Sequence, residues 1–484
     1  MELSEIADSV TSLDGAKQLI RELVAINQDL QAEVATLKTA VASLQSRNRS
    51  SSRNSSKAPS TDSPEQRAQR KKQAKSPRNK GAQPGHKKHE RSILLEDQVD
   101  TIHRYFPHSH CQCGGAITTS TQPTYRHQVF DLPEVRYQVT EHQLYTGQCV
   151  NCQRQLTATL PDWVPSGQMD GGLVSTILQL SGQFHLSIRQ IQAYLSEYWR
   201  LDFSTGAISQ AQGKANPWLG VPYRQIAEKI RQSPIAHADE TRHYRGTEQR
   251  WLWTLATQSL CFFMVHYSRG KAAANELLGD FTGYLVTDHY SGYNGVPAQR
   301  RQLCWAHLIR HFIKISERNG LAGDTGKRLL LISYAVIRTR HRQRDNPDRF
   351  ERYHRRLLRL RKSFNATLVR GTELKLADRT RNQCLHLLKD EAMCWTFLKD
   401  RHIPLTNNLA ERAIRPYVIW RKLSFASQSF QGDQFRPMIL SIVGTTRCLG
   451  IRTSDFLRSI CNEGLRGDPI STQLPLDTTL SANA

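Results

Sequence analysis

The sequence predicts a multidomain α/β protein, and three observations support this prediction. Residues 231–314 alternate between short β-type runs and helical patterns, which is typical of a mixed sheet covered by helices. Residues 1–48 follow a seven-residue repeat instead. Between these two regions lie two pairs of cysteines, which indicate a small separate module. A chain of 484 residues is long enough for two to four domains with their own cores.

The amino-acid composition indicates which class of molecule the protein binds. The formal net charge is +23 and the pI is about 9.8, which favours a polyanion: nucleic acid first, an anionic membrane surface second. No apolar run approaches the ~20 residues that span a bilayer, and we expect no secretory signal. The ten cysteines comprise four in a cluster and six scattered along the chain, which fits a reducing compartment. We therefore expect a cytoplasmic, nucleic-acid-binding protein that does not bind membranes.

Residues 1–48 predict a coiled-coil dimerisation helix. The d positions of the heptads are leucines, and the a positions hold mostly β-branched residues with one asparagine, a pattern that favours a parallel two-stranded coil and hence a homodimer. The d positions are Leu23, Leu30, Leu37 and Leu44, and the a positions are Leu13, Ile20, Asn27, Val34 and Val41. The alternative is an amphipathic helix packed on the body of the protein.

Residues 49–92 predict a basic, disordered linker. From residue 47 to residue 91 there are 14 Lys or Arg residues against three acids, interspersed with Ser, Pro and Gly. Such a segment buries too little apolar surface to fold by itself. We expect it to bind DNA phosphates, through lysines that include Lys71, Lys72, Lys87 and Lys88. A flexible tether without DNA contacts is the alternative.

Residues 93–165 predict a zinc-binding module. Its candidate ligands are Cys111, Cys113, Cys149 and Cys152, because paired thiolates on two turns of a small β unit form a tetrahedral zinc site. Strand-like runs are expected at 137–140 and 143–146. The first pair is spaced C-x-C, tighter than the usual C-x₂₋₄-C, so His108 or His110 is an alternative ligand. Four ordinary thiols are the other possibility.

Residues 166–230 predict a DNA-binding domain of the helix-turn-helix kind. Helical patterns cover 172–185 and 187–198, a turn follows at 201–203, and Ser204 is placed to cap a third helix that runs to Lys214. A capped helix after a tight turn is the geometry that inserts a recognition helix into the major groove. A three-helix bundle without DNA contacts produces the same pattern.

Residues 231–465 predict the catalytic domain. The order is three strands, a helix and a fourth strand, and the first and fourth strands lead into Asp239 and Asp288. Asn407 or Asn408 is placed to cap a later helix, with Glu411 in its first turns. Hard oxygen ligands select Mg²⁺ or Mn²⁺, and two such ions activate the attacking oxygen and stabilise the leaving oxygen of a phosphodiester. A sheet with acids at neighbouring strand ends is the layout of ribonuclease-H-like nucleases. Turn residues and helix caps are the alternative for each acid taken singly.

Further residues of this domain are candidates for contact with DNA. Tyr290 and Tyr293 flank a glycine and are candidates to stack on an unpaired base, with packing as the alternative. Cys304 and His307 are spaced C-x-x-H, which offers too few ligands for zinc, so we assign His307 a structural or DNA-contacting role. A helical, arginine-dense insertion is expected at about 320–400, and a disordered tail at 466–484.

The motifs themselves resemble a known family. HADET (237–241), VTDHYSGY (286–293), CWAHLIRHF (304–312) and NNLAERAIRP (407–416) are similar to the core motifs of the insertion-sequence-66 family of bacterial DDE transposases. GAQPGHKKH (81–89) resembles the linker of that family. The resemblance implies a catalytic triad of Asp239, Asp288 and Glu411, two Mg²⁺ or Mn²⁺ ions, and a zinc-binding domain. It also supports phosphate contacts by Arg412 and Arg415 and implies a nucleoid-associated bacterial protein.

The function we expect from this resemblance is transposition. The protein would bind the ends of a bacterial insertion sequence, cut them, and join the freed 3′-hydroxyl to target DNA, with possible accessory proteins from the same element. Two alternatives stay open: a DNA-binding regulator whose catalytic activity has decayed, and a nuclease that hydrolyses without joining. Strand cleavage and strand transfer use the same metal site, so the sequence separates these activities poorly.

Overall fold

The computed structural model describes residues 92–132, 136–425 and 427–476, together with isolated helical positions between residues 17 and 36. Of the predicted zipper positions, Ile20, Asn27 and Val34 are described, and each is helical and exposed. The leucines at the d positions lie outside the described residues. So does the basic segment 49–91, with Lys71, Lys72, Lys87 and Lys88. The coiled coil and the disordered linker therefore stay predictions.

The chain divides into two compact units, one of residues 64–141 and one of residues 1–63 and 142–484. In the described part of the smaller unit, a 3₁₀ turn covers Glu96–Gln98. Residue 94 is held by two later side chains: the Gln128 side chain accepts from its N–H (2.9 Å), and Arg126 donates to its carbonyl oxygen (3.0 Å). The predicted zinc module at 93–165 falls partly in each unit, so its two cysteine turns are described separately below.

The larger unit opens with a two-stranded antiparallel hairpin, β1 (Thr146–Gln148) and β2 (Gln155–Thr157). The predicted strand-like run at 137–140 is extended without a ladder, and in the run at 143–146 only Thr146 belongs to a strand. The strands instead flank the turn at Cys149, because the Cys149 N–H donates to the Arg154 carbonyl (2.9 Å) and closes the hairpin.

Four helices follow, and capping residues mark where the second begins and ends and where the third begins. Ser187 and Ser204 accept hydrogen bonds from backbone N–H groups of the following turns, as N-caps do. Arg200 ends the second helix in the left-handed conformation. The helices are α1 (Gly171–Gly182), α2 (Ile188–Trp199), α3 (Thr205–Lys214) and α4 (Asn216–Arg231). Apolar side chains of the first three form a small core of their own, so the predicted three-helix arrangement with a cap at Ser204 is present.

A five-stranded sheet forms the centre of this unit. The strands are β3 (Ile235–Arg245), β4 (Glu248–Ala256), β5 (Cys261–His266), β6 (Tyr284–Thr287) and β7 (Arg301–Leu303), with helix α5 (Lys271–Leu278) between β5 and β6. Their spatial order is β5-β4-β3-β6-β7. The first three strands are antiparallel neighbours, whereas β6 and β7 continue the sheet in parallel from β3. The mixed α/β class predicted from the sequence is confirmed.

The edge strand β5 is covered by a C-terminal helix. Helix α12 (Phe430–Cys448) presents Ser441 and Thr445, whose hydroxyl oxygens accept the N–H groups of Phe263 (2.9 Å) and Cys261 (3.1 Å). Gly444 permits this approach, because a Cβ there would lie 2.8 Å from the Cβ of Cys261. The strand thus has partners for backbone groups that would otherwise be open to edge pairing.

The predicted insertion is helical and has its own core. The helices are α6 (Trp305–Ser316), α7 (Gly320–Asp345), α8 (Phe350–Thr372), α9 (Asp378–Lys389) and the short α10 (Glu391–Cys394). Trp305, Phe364 and Trp395 form its aromatic centre, and the Trp305 ring N–H donates to the Cys394 carbonyl (2.9 Å). The carboxyl end of α6 and the start of α7 touch closely, because a Cβ at Gly326 would lie 2.2 Å from the Ser316 nitrogen.

The chain then returns to the sheet through α11 (Asn408–Ser424), α12 and α13 (Thr453–Leu465). The sequence predicts a disordered tail from 466 onward, but the described part of it packs on the body. Leu474 is buried in the main core, and Glu463 accepts hydrogen bonds from Ser471 and Thr472. Within the described residues, no helix has the length and apolar character needed to cross a membrane.

Candidate active site

Asp239 lies on the central strand β3 with little solvent around it. One of its carboxylate oxygens accepts the backbone N–H of Glu240 (2.9 Å). Burial, followed by the negative charges of Glu240, Asp288 and Glu411, raises the pKa of Asp239 to about 8. The three predicted acids, which are up to 172 positions apart (239 to 411), are therefore close enough to interact electrostatically.

Asp288 directly follows β6, the parallel neighbour of β3, whereas Asp239 lies within β3. The strand expected to end at Asp239 continues to Arg245. The two acids lie side by side because each comes two positions after the paired residues His237 and Val286. Its carboxylate accepts the backbone N–H of Tyr290 (3.0 Å). Arg301, fully buried on β7, holds the same loop by donating to the carbonyl oxygens of Asp288 (3.1 Å) and Tyr290 (2.7 Å). Sequence reasoning assigned no role to Arg301, and the short strand Arg301–Leu303 has no apolar pattern that would have marked its arginine as buried.

Glu411 lies in the first turn of α11, as predicted, but Asn407 does not cap that helix through its side chain. The buried Asn407 side chain instead donates to the Ala238 carbonyl (2.8 Å) and pairs with Nδ1 of His237 (3.2 Å). The Asn407 N–H donates to the Cys304 sulfur (3.1 Å). The start of α11 is thus fastened to the strand that carries Asp239, which explains how Glu411 reaches the other two acids.

Glu411 also meets the C-x-x-H pair. Ligand atoms of Cys304, His307 and Glu411 all lie within 4.8 Å of one another, and Glu411 Oε1 is 3.6 Å from His307 Nδ1 and 3.9 Å from Arg310. Neither Glu411 Oε1 nor His307 Nδ1 has a hydrogen-bond partner, although both atoms are shielded from water. Burial, with the charge of Arg310, lowers the pKa of His307 and keeps its ring neutral.

These observations fit a divalent cation. Glu411 Oε1 is shielded from water and has no hydrogen-bond partner, although Arg310 lies 3.9 Å away. Asp239 has no ion pair with any described residue, and burial and the neighbouring carboxylates raise its pKa. A further positive charge would stabilise both carboxyl groups in their ionised form. A hard ion such as Mg²⁺ would supply that charge, and the oxygens of Asp239, Asp288 and Glu411 are the ligand type it prefers. The arrangement is suited to metal-assisted chemistry on a phosphodiester.

Glu240, the neighbour of Asp239, has a different environment. Its two oxygens accept from Tyr293 (2.7 Å) and from Arg269 (2.8 and 3.1 Å), so both are occupied by protein groups. Tyr293 is buried, which leaves it unable to stack on a base. Tyr290 lies beneath the Arg269 guanidinium, 4.1 Å from the ring centre. Sequence reasoning did not find the contacts among Glu240, Arg269 and Tyr293, because these residues are 24 to 53 positions apart.

A pocket of about 270 Å³ opens beside Asp288. Its lining combines the acid with three imidazoles from the loop after β6 and from α6, namely His289, His307 and His311, and with Cys304. A space next to a candidate metal ligand, bordered by neutral nitrogen donors, has room for a phosphate or a water molecule.

The remaining predicted DNA-binding residues lie at different places. Arg412 and Arg415 are exposed on α11, and neither forms a hydrogen bond or ion pair with the residues that the structure describes. Their guanidinium groups are thus accessible next to Glu411. The four predicted lysines lie outside the described residues.

The two cysteine pairs each form a tight turn. In the first, the Cys111 N–H donates to the Gly115 carbonyl, the Gly114 N–H donates to the Cys111 carbonyl (2.8 Å each), and Gly114 adopts a positive φ of 86°. In the second, the Gln153 N–H donates to the Cys149 carbonyl (2.8 Å). Backbone N–H groups of Cys113 and Cys152 respectively lower the pKa of Cys111 and Cys149, which favours thiolates. Each turn suits a metal ligand pair; the complete zinc site stays a prediction.

Comparison with known proteins gives two family matches. Residues 166–434 match the model of a family described as "Transposase IS66 family", which covers the helices α1–α4, the sheet, the insertion and α11. Residues 6–92 match a family of unknown function (DUF6444).

Two similar proteins come from Sinorhizobium fredii (strain NBRC 101917 / NGR234), and both are described only as uncharacterized. The protein y4qI is 25% identical over 315 residues, which cover 58% of this chain and 57% of the relative. The protein y4hP is 22% identical over 395 residues, which cover 72% of this chain and 69% of the relative. The chain thus spans little more than half of the first relative.

Proposed function

The chain belongs to the transposase IS66 family, and from this membership we propose that it is the DNA transposase of a bacterial insertion sequence. In this proposal it binds the ends of the element, cleaves DNA strands and transfers them to target DNA. The observation that carries the proposal is the placement of the three acids. Asp239 and Asp288 each come two positions after the paired residues of the parallel strands β3 and β6, and Asn407 ties the start of α11, which carries Glu411, to β3. DNA, as element ends and as target, is the partner that the family implies.

We propose Asp239, Asp288 and Glu411 as the catalytic residues, holding two Mg²⁺ or Mn²⁺ ions. When bound, these ions activate an attacking oxygen and stabilise the leaving oxygen of a phosphodiester. The protein's part is to hold the three carboxyl groups together: Arg301 positions the Asp288 loop, and Asn407 positions Glu411. No Ser or Tyr nucleophile is required.

We propose further that the catalytic body is ribonuclease-H-like. The strand order β5-β4-β3-β6-β7, with three antiparallel strands followed by two parallel ones, supports this assignment. The positions of the acids also support this assignment. Asp288 follows the carboxyl end of β6, Asp239 lies within β3, and these two strands are parallel neighbours.

The residues around the acids have the chemistry to bind DNA. Arg412 and Arg415 would contact phosphates beside Glu411, since both are exposed and lack protein partners among the described residues. His307, at Glu411 and on the pocket wall, would donate to a phosphate oxygen. Tyr290 with Arg269 forms a cation–π pair on which an unpaired base could stack.

The flanking segments complete the proposal. Helix α3 would read the major groove, and the lysines 71, 72, 87 and 88 would bind phosphates without reading bases. Cys111, Cys113, Cys149 and Cys152 would hold a structural zinc ion. The heptads at 1–48 would form a homodimer, which suits an enzyme that holds two DNA ends, and accessory proteins of the same element are further partners.

The test uses purified protein and labelled duplexes that carry the ends of its own element. We expect Mg²⁺-dependent nicking and joining that Asp288→Asn lowers by more than about 100-fold, because even outer-shell partners of metal ligands contribute about 10–100-fold. Asp280→Asn, an exposed acid after α5, is the matched control and should retain activity. Undiminished activity of Asp288→Asn would refute the assignment.

The same experiment separates the other two functions. Nicking without joining under all conditions would identify a nuclease. Binding without nicking, with and without the products of neighbouring genes, would identify a regulator that has lost catalysis.

A further inference from the structure

Two histidines and an aspartate meet beside the loop that carries Asp288. His289 Nε2 lies 2.6 Å from Asp390 Oδ2, and His386 Nδ1 lies 3.7 Å from the same oxygen. The two imidazole rings are 4.9 Å apart and inclined at 67°. One ligand atom from each of the three residues lies within 4.8 Å of the other two. None of the three residues has a role in the proposed strand-transfer chemistry.

The fold brings them together from separate elements. His289 follows Asp288 at the end of β6, whereas His386 and Asp390 are four positions apart at the carboxyl end of α9. Residues four apart on a helix lie on the same face, one turn after the other. The cluster therefore connects the active-site loop with the helical insertion, across 97 to 101 positions of sequence.

We propose that His289, His386 and Asp390 bind one transition-metal ion, with Zn²⁺ as the preferred class. Two imidazole nitrogens and one carboxylate oxygen are a three-ligand set typical of zinc, and water would fill the fourth position. The ion differs in kind from those of the carboxylate site, because imidazole nitrogen disfavours Mg²⁺ and favours zinc. In this site zinc would tie α9 to the loop that carries Asp288.

The distances describe a metal-free cluster that needs only side-chain movement to bind an ion. Ligands at about 2.0–2.1 Å from a tetrahedral ion are about 3.3 Å from one another. The His289–Asp390 separation would open by about 0.7 Å as their hydrogen bond breaks, and His386 Nδ1 would approach Asp390 by about 0.4 Å. His386 has the freedom to do so, since its side chain is 67% exposed.

The exposure of the cluster also allows an ion to enter. His289 and Asp390 retain 22% and 26% of their side-chain surface, so the site faces solvent while its ligands stay anchored. A third imidazole, that of His311 on α6, lies near His289 and His386, but its ring is 2.9 Å from the Gln383 side chain. We therefore leave His311 outside the ligand set.

The experiment counts zinc on the full-length protein, purified without a histidine tag and stripped of metal by a chelator. After dialysis against Zn²⁺, bound metal is measured by mass spectrometry for wild type, His386→Ala and Asp390→Asn. We expect each variant to hold one zinc ion fewer than wild type. The difference is independent of the cysteine pairs, whose zinc would be present in all three proteins.

Two further measurements make the result specific. With Co²⁺ as the probe, the ion lost in His386→Ala should lack the intense thiolate absorption that cysteine ligands produce. His341→Ala removes an exposed histidine of α7 and should leave the zinc count unchanged. Equal zinc counts in wild type, His386→Ala and Asp390→Asn would overturn the proposal and leave the His289–Asp390 contact as a hydrogen bond alone. Because the readout is metal content, failure of the transposase proposal would not affect it.

Discussion

The acids of this protein differ in whether a cation accompanies them. Glu391 is paired with Arg361 (2.8 Å at both oxygens), Glu240 with Arg269, and Asp433 with His243 (2.9 Å) and Arg250 (3.4 Å). Asp239 has no ion pair with any described residue, and acidic neighbours surround it instead. A half-buried carboxylate without a counter-charge is costly when ionised, which supports the cation site proposed at Asp239.

The raised pKa of Asp239 has a consequence for stability. Its folded value of about 8 exceeds the usual 3.8 of an aspartate, so the fold favours the protonated form. The stability it contributes is full below pH 4 and is lost as pH rises towards and through 8. In EDTA, the Tm of wild type should fall more between pH 5 and pH 8 than that of Asp239→Asn.

The measurement is a set of thermal melts of both proteins across that range. Addition of Mg²⁺ at pH 8 should raise the Tm of wild type and leave Asp239→Asn nearly unchanged. Parallel pH profiles of the two proteins would show that Asp239 does not carry the titration.

At the scale of elements, the position of α11 determines whether Glu411 reaches the other acids. Asn407 satisfies the Ala238 carbonyl and His237 Nδ1, two buried groups of β3. Burial lowers the pKa of His237 to about 4, so its ring is neutral near pH 7, and its Nδ1–H donates to the side-chain oxygen of Asn407. The helix is thereby fastened to β3 through side-chain hydrogen bonds rather than through a cap.

Asn407→Ala should therefore destabilise the protein and weaken metal binding together. Each buried group left without a partner costs about 1–3 kcal/mol, which denaturant titration will measure as a fall in the free energy of unfolding. The affinity for Mn²⁺, followed by calorimetry, should fall as Glu411 moves. Asn408→Ala changes the exposed neighbour and is the control. A destabilised Asn407→Ala with wild-type Mn²⁺ affinity would restrict Asn407 to a structural role.

At the scale of the whole molecule, charge is concentrated in a few segments. The 14 Lys and Arg residues between 47 and 91 stand against three acids, in a chain of net charge +23. Arginines on α7 and α8 give the insertion a second basic surface, including Arg338, Arg342, Arg352, Arg355, Arg356 and Arg359. Both surfaces favour contact with the DNA backbone.

Replacing Lys71, Lys72, Lys87 and Lys88 with Gln should lower DNA affinity and its dependence on salt. Each phosphate contact contributes about 0.9 to the slope of log K against log salt, so the slope should fall by up to about 3.6. Fluorescence anisotropy with a labelled duplex at several salt concentrations gives this value. The Lys→Arg quadruple variant keeps the charge and should keep the slope. An unchanged slope in the Gln variant would favour a flexible tether.

The sequence by itself determined the order of strands and helices in the body, the cap at Ser204, the helical insertion, and the positions of Asp288 directly after β6 and of Glu411 in α11. It placed Asp239 at the end of its strand, whereas β3 continues to Arg245. These features depend on local periodicity, on capping residues and on motifs that resemble one family. The sequence was less successful at the hairpin around Cys149 and at the tail, where Leu474 packs on the core. The reason is that the structure of these segments depends on a single hydrogen bond, from Cys149 to Arg154, and on a single buried side chain, that of Leu474, rather than on a periodic sequence pattern.

Only the tertiary structure decided the partners of the acids. These partners are distant in the sequence. Arg301 contacts the Asp288 loop, Asn407 contacts β3, Tyr293 contacts Glu240, and His289 contacts Asp390 near His386. Tyr293 is the clearest example: the sequence made it a candidate for stacking on a base, whereas in the structure its ring is buried. Contacts of this kind form when strands and helices pack against one another, and a local sequence pattern does not specify which distant side chain will contact a given acid.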